Sequence, residues 1–346
     1  MSAIISKKYL SVSRKEHRGK RGVLVKTGNP DGKVDTLPFE ALKEIGTTLE
    51  VLRDDKELDF VVFYDNEMKV HAGADLAMFS GDIDSQLVRE YLMTGARLDL
   101  LVKSLGKRTV SVIQGDCYGG SVEWPLMADY SVCAGDASIQ FSEVNLGIIP
   151  GWSGILNVLL RSNKENALYL AATGCKIGAR EMLSAGLVSW ISSNDDMLAC
   201  AMDLATASAI DKAPVKSLST IDEINLIIKS RTDVDKYRNL SAEVLRKMDR
   251  GELSDDKHAD NHVGKYISKR LNELGRPLAL LAVGAVSIFV NKYSNIKSGD
   301  MGLIGEMACD EAELCFKLME TADRKMGINS ILTSNPLDRI PVYAGK

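Results

Sequence analysis

The residues of this chain best suited to chemistry are two glutamates and two glycine-bearing loops. The first loop is His71-Ala72-Gly73-Ala74-Asp75-Leu76, and it follows a strand-like run, Leu58 to Tyr64. The second is Gly115-Asp116-Cys117-Tyr118-Gly119-Gly120-Ser121-Val122-Glu123, after the strand-like run Thr109 to Ile113. Glycine lets backbone N–H groups approach a ligand closely. The second loop runs straight into a helical pattern, so the N–H of Gly120 would lie at a helix N-terminus, where negative charge is favoured. Two such donors aimed at one carbonyl oxygen make an oxyanion hole, and losing one donor typically costs about 10²–10³ in rate. An enolate formed from a thioester is the kind of intermediate this device suits. Taken singly, such loops more often do no more than turn the chain tightly. Neither has the Gly-x-Gly-x-x-Gly spacing of dinucleotide binding or the Lys-Ser/Thr end of a P-loop.

Carboxylates complete the set. Glu123 is three residues past Gly120, in the first turn of the expected helix, so its side chain can reach the space in front of the loop. Glu143 lies in Phe141-Ser142-Glu143-Val144-Asn145-Leu146-Gly147-Ile148-Ile149-Pro150-Gly151, a strand-to-turn segment. A glutamate in a first helical turn is often only a dipole partner, and one after a strand is often only solvated. Two facing one cleft could serve as general acid and general base on a single water.

These residues need a frame. Gly22 to Lys26, Leu58 to Tyr64, Thr109 to Ile113, Tyr130 to Cys133 and Leu187 to Ile191 read as strands from their β-branched and aromatic content. Between the first two, Phe39, Leu42, Ile45, Leu49 and Leu52 recur at helical spacing behind Pro38. Strand and helix alternate, so the fold class is α/β. The second half changes character. Apolar stripes at Ile221, Ile224, Ile227 and Ile228, at Val244, Leu245 and Met248, and at Val263, Tyr266, Ile267, Leu271 and Leu274 predict core-facing helices. The last is closed by Gly275 with Pro277 beyond it. The polar segment from Asp249 to His258 reads as a mobile loop, and the chain from Asp310 reads as one more helix and a Pro-containing tail.

Composition narrows the function classes. With 43 basic and 47 acidic residues the net charge is −4, which lacks the basic excess of a nucleic-acid footprint. Six scattered cysteines (117, 133, 175, 200, 309 and 315) form no Cys-x-x-Cys pair, and reduced, structural thiols are expected. His258 and His262 could share a helix face, but two histidines are too few for a zinc site, and no metal is expected. The apolar stretch Pro277 to Val290 is shorter than the roughly 20 residues a bilayer requires, so a buried helix is expected there. The N-terminus has no signal-peptide pattern, and a soluble, cytoplasmic protein is expected, with no membrane partner.

The two loops, the helix that follows the second, and the segment from Asp136 to Gly151 together resemble the crotonase (enoyl-CoA hydratase/isomerase) superfamily. So do the stretch from Gly28-Asn29-Pro30 to Leu37 and the stretch from Ala172-Thr173-Gly174 to Gly186-Leu187-Val188. The resemblance covers about residues 5 to 210 and resumes from Pro277. It implies a repeated ββα spiral core over residues 1–210, followed at 211–346 by a helical C-terminal region that builds homotrimers, often paired as hexamers. It also implies an acyl-CoA substrate with coenzyme A as part of that substrate and no permanently bound cofactor. The backbone N–H groups of Ala74 and Gly120 would bind the thioester oxygen. Glu123 and Glu143 match the glutamates that hydratases of the family use on water. Ala72, Asp75 and Leu76 would run along coenzyme A. Hydration of an enoyl-CoA is the activity expected first. Double-bond isomerisation, ring hydration or ring opening of a cyclic acyl-CoA, and a non-catalytic acyl-CoA scaffold are the alternatives.

Three departures stand out. Trp152-Ser153-Gly154-Ile155-Leu156-Asn157 replaces the family's glycine-rich run, and Trp152 either lines the acyl pocket or packs at a helix start. Pro125 sits close behind Glu123, where it removes a helical donor. About 60 residues, roughly 217 to 274, form an insertion that ordinary members lack.

Overall fold

The computed structural model describes residues 5–30, 35–65, 70–211, 214–250, 252–253, 262–296, 299–333, 339–343 and 345. Two β-strands open the chain, β1 (Ile5–Ser6) and β2 (Leu10–His17). A ββα unit then repeats. The first is β3 (Lys20–Thr27), β4 (Asp35–Thr36) and α1 (Phe39–Asp54). The second is β5 (Phe60–Tyr64), β6 (Val70–Gly73) and α2 (Ser85–Lys103). The third is β7 (Arg108–Ile113), β8 (Asp116–Tyr118) and α3 (Gly120–Leu126). The fourth is β9 (Tyr130–Ala134), β10 (Ser138–Gln140) and α4 (Gly154–Arg161).

The first strand of each unit joins one sheet, ordered β1-β2-β3-β5-β7-β9-β12, and the second joins another, β11-β10-β8-β6-β4, where β11 is Ile177–Gly178 and β12 is Trp190–Ser192. Neighbouring units pair in parallel in both sheets. A parallel sheet is covered on both faces, and β5 accordingly buries Phe60, Val61, Val62 and Phe63 without alternation. The two glycine-bearing loops of the sequence are therefore partly short strands of the second sheet. Parallel β6–β8 pairing at His71↔Cys117 holds them side by side.

The remaining helices are α5 (Lys164–Thr173), α6 (Ala179–Ser184), α7 (Met197–Thr206), α8 (Ile221–Arg231), α9 (Val234–Asp249), α10 (His262–Leu274), α11 (Leu280–Tyr293), α12 (Met301–Met319) and α13 (Ala322–Leu332). All three stripes of the second half are helices. α9 and α10 bury Tyr237, Leu240, Val244, Val263, Ile267 and Leu271 in a small core of their own with Ile340. α11, α12 and α13 instead share the main core, through residues such as Val286, Phe289, Met307, Ala312 and Ile328. The apolar stretch expected to be a buried helix is α11, but Leu280, Leu281 and Ile288 are 51%, 37% and 65% exposed, so one side of it faces outward. Most of the polar segment after Asp249, with His258 and the side chain of His262, lies outside the described residues. Among the described residues no helix is long and apolar enough to cross a membrane.

Candidate active site

β6 and α3 meet at two glycines. Gly73 and Gly119 both have positive φ, +71° and +57°, a region that side chains strongly disfavour. A Cβ on Gly73 would stand 2.5 Å from the nitrogen of Gly120 and 2.4 Å from that of Ser121. The end of β6 thus touches the N-terminus of α3 backbone to backbone. Ala74 follows immediately. Gly120 is the first residue of α3, so its N–H has no intrahelical acceptor. Both residues line one cavity of about 140 Å³.

Ala72, Leu76, Glu123, Glu143 and Trp152 line the same cavity. Asp75 does not. Its carboxylate caps the short 3₁₀ turn Leu76–Phe79, accepting from the N–H of Ala77 at 3.0 Å. That turn is anchored from the far end of the chain, because the buried guanidinium of Arg324 on α13 donates to the carbonyls of Phe79 (2.8 Å) and Gly81 (2.9 Å).

Pro125 lies inside the seven-residue α3 and leaves its first turn intact, since the N–H of Glu123 still donates to the carbonyl of Gly119 at 3.2 Å. The Glu123 side chain is buried. Its Oε2 accepts from the N–H groups of Trp152 (2.7 Å) and Gly154 (2.9 Å), at the start of α4. Burial pushes its carboxyl up to about 7, and those N–H donors pull against the rise. Glu143 opens a 3₁₀ turn, Glu143–Leu146, just after β10. Its Oε1 lies over Gly119, 3.2 Å from where a Cβ would be, while Oε2 is buried without a partner. Burial first, then the nearby Glu123 carboxylate, raise the Glu143 carboxyl well above the ordinary range. Burial thus raises both carboxyls of the one cavity, Glu123 to about 7 and Glu143 well above the ordinary carboxylate range.

Trp152 both lines the cavity and packs. Its indole fills the space over Gly95 and Gly120, where a Cβ would come within 2.0 and 2.4 Å of it, and Tyr91 meets it edge-on at 5.1 Å. The rest of the wall is mostly apolar, with Leu92 from α2, Ile148 and Ile149 before α4, and Cys315 and Met319 from α12, beside Tyr118 and Ser142.

Sequence reasoning missed α12 as a contributor. Besides Cys315 and Met319 it supplies Glu311, fully buried, whose two oxygens accept from the N–H groups of Ile155 (3.0 Å) and Leu156 (2.9 Å). The signal was present as a carboxylate on the stripe Met307, Ala308, Ala312, Cys315, a charge where only apolar residues belong.

Three side chains that could hold a metal ion converge outside this cavity. Asp35 on β4, Asp65 just after β5, and His71 on β6 bring one ligand atom each within 4.8 Å of one another. His71 Nδ1 lies 3.4 Å from Asp35 and 3.3 Å from Asp65, and Asp65 also accepts from Gln114, so the group reads as a polar cluster tying β4 to β6.

The sequence profile of the Enoyl-CoA hydratase/isomerase family matches residues 19–249. The chain belongs to that family. Its match runs into the segment expected to be an insertion, and ends within it. Among solved structures, an enoyl-CoA hydratase from Rhodobacter sphaeroides 2.4.1 superposes with a TM-score of 0.68 at 20% identity, covering 97% of this chain and 93% of that one. A carnitinyl-CoA dehydratase from Mycobacterium thermoresistibile gives 0.65 at 16%, covering 93% and 89%. A putative enoyl-CoA hydratase from Streptomyces avermitilis gives 0.56 at 14%, covering 95% and 97%. At these identities the likeness is one of fold: the repeated ββα core with C-terminal helices is that of crotonase-type proteins.

Proposed function

We propose that this enoyl-CoA hydratase/isomerase family member adds water across the double bond of an enoyl-CoA. The observation that carries the reading is the buried, unpartnered Oε2 of Glu143 in a cavity shared with Glu123. An orphaned carboxyl oxygen calls for a partner, and a substrate or a reacting water is the natural one.

The roles follow from the environments. The thioester carbonyl accepts from the N–H groups of Ala74 and Gly120, and the α3 N-terminus stabilises the enolate oxygen as charge develops. Glu123, with its carboxyl near neutrality, takes the proton of water as the oxygen attacks the β-carbon. Glu143, held protonated by burial and by Glu123, gives its proton to the α-carbon. One water is consumed: its hydroxyl joins the β-carbon, its proton passes to Glu123, the Glu143 proton joins the α-carbon, and the cycle closes when the proton on Glu123 returns to Glu143 across the shared cavity. Ala72 and Leu76 border the path of coenzyme A, and Trp152 and Leu92 wall the acyl end. Asp75 shapes that path by fixing the turn at Leu76. The family resemblance implies a homotrimer or a pair of trimers, and the exposed apolar side of α11 is a surface that assembly would cover.

The test is a screen of linear, branched and cyclic enoyl-CoAs, following loss of the absorbance of the conjugated enoyl thioester and the mass of the product. Gain of one water supports the reading. A product of unchanged mass would replace it with isomerisation.

A further inference from the structure

The first turn of α4 is gripped from two sides. From α3, Glu123 accepts from Trp152 and Gly154. From α12, Glu311 accepts from Ile155 and Leu156, the next two residues along. Four N–H groups of one short segment are divided between two buried carboxyls that belong to distant parts of the chain. Both bonds to Glu123 end on its Oε2, so the angle of α4 decides where its other oxygen points. Gly154 has no room to adjust alone, because a Cβ there would stand 2.8 Å from Glu123 Oε2 and 2.8 Å from Phe141.

We propose that Glu311 is a positioning residue for the reaction, fixing the start of α4 so that Trp152 and Gly154 hold Glu123 in its working orientation. A buried carboxyl is a costly way to cap a helix whose first N–H groups a serine or threonine could satisfy. Its place is explained by rigidity, since a two-oxygen acceptor fixes both position and rotation of the turn it binds. Burial, and then the charge on Glu123, raise the Glu311 carboxyl well above the ordinary range, consistent with two acids competing for one helix end. Asp99, bonded to Lys103 and to Asn157 Nδ2 at 3.0 Å, borders the same helix. It bonds the side chain of Asn157 further along α4, whereas Glu311 accepts from the backbone N–H groups of Ile155 and Leu156 directly after Gly154, so the positioning role falls to Glu311.

This inference rests on the hydratase reading of Glu123. The experiment compares Glu311→Gln, Glu311→Asp and Ile155→Pro with the parent enzyme on the enoyl-CoA found in the screen. Glutamine offers one acceptor and turns an amide N–H₂ toward the second donor. Proline in a first helical turn deletes one donor while leaving every carboxyl in place. Small misplacements of a reacting group cost up to about 100-fold. We therefore expect kcat to fall about 10- to 100-fold in Glu311→Gln and Ile155→Pro, with KM within about twofold, because coenzyme A is held elsewhere. Glu311→Asp should recover part of the loss. Folded variants, checked by thermal melting, with parental kcat would overturn the proposal, as would equal changes in kcat and KM. If Glu311→Gln fails to fold, Ile155→Pro alone decides it. Should Glu123→Gln keep full turnover, the hydratase reading itself has failed. If Glu123→Gln is inactive and these variants are not impaired, only this inference has.

Discussion

Gly73 and Gly120 meet so closely that a Cβ on Gly73 would lie 2.5 Å from the Gly120 nitrogen. Two strand-to-helix passages, far apart in sequence, are brought into one contact that excludes any side chain, and a candidate donor lies on each side of it. The parallel pairing of β6 and β8 is what delivers the contact.

Gly73→Ala should therefore separate the two donors. We expect a loss of about 10²–10³ in kcat/KM, the usual effect of removing one oxyanion donor. Gly106→Ala is the control, because Gly106 has the same left-handed backbone (φ +67°) with nothing near it. It should carry the strain but keep its activity. Steady-state kinetics of the two proteins decide the matter, and equal losses would mean that strain, not the contact, is responsible.

In the proposed mechanism Glu123 sets the pH dependence. As the base it must be ionised, and burial has moved its carboxyl up to about 7. Below that pH, log kcat/KM should fall with a slope near one, a pH profile reporting the free enzyme's groups. The two carboxyls titrate together, so the limb belongs to the pair. A rate constant flat from pH 5 to 8 would contradict the assignment.

Glu143 makes a prediction about stability. Its folded-state carboxyl is raised, so the folded protein holds a proton that the unfolded chain releases in the ordinary carboxylate range. Folding is favoured below that range and loses this contribution as pH rises toward the folded value. Glu143→Gln removes the titration. The variant should have a higher urea midpoint than the parent at pH 8, with the gap narrowing toward pH 4. A midpoint below the parent's at every pH would show that the carboxyl contributes to stability instead of opposing it.

Much of this was legible in the sequence, and the parts that were not have physical reasons. Gly120, Glu123 and Glu143 were singled out by type and spacing, Ala72, Ala74, Leu76 and Trp152 through the family resemblance, and all border one cavity. The long strands β3, β5, β7 and β9 are buried and β-branched, which pattern alone reveals. β4, β8 and β10 are two or three residues long and partly polar, so no periodicity marks them, yet they form most of the second sheet. Asp75 was placed along coenzyme A by the resemblance, and its side chain caps the next turn. Glu311 could not be linked to Glu123, since their contact through α4 joins residues 188 apart in number and depends on how α12 packs.

The most direct test of the account is the product formed by Glu123→Gln, Glu143→Gln and the double variant, measured by turnover and mass. Glutamine keeps size and hydrogen bonding but cannot exchange a proton. Each single variant should lose about 10²–10⁴ in rate. The pair should be little worse than the poorer single, because groups acting as a unit are not additive. The parent's product should carry one added water. A product of unchanged mass, with one of the single variants close to the parent, would contradict hydration by two glutamates and favour a one-base isomerase.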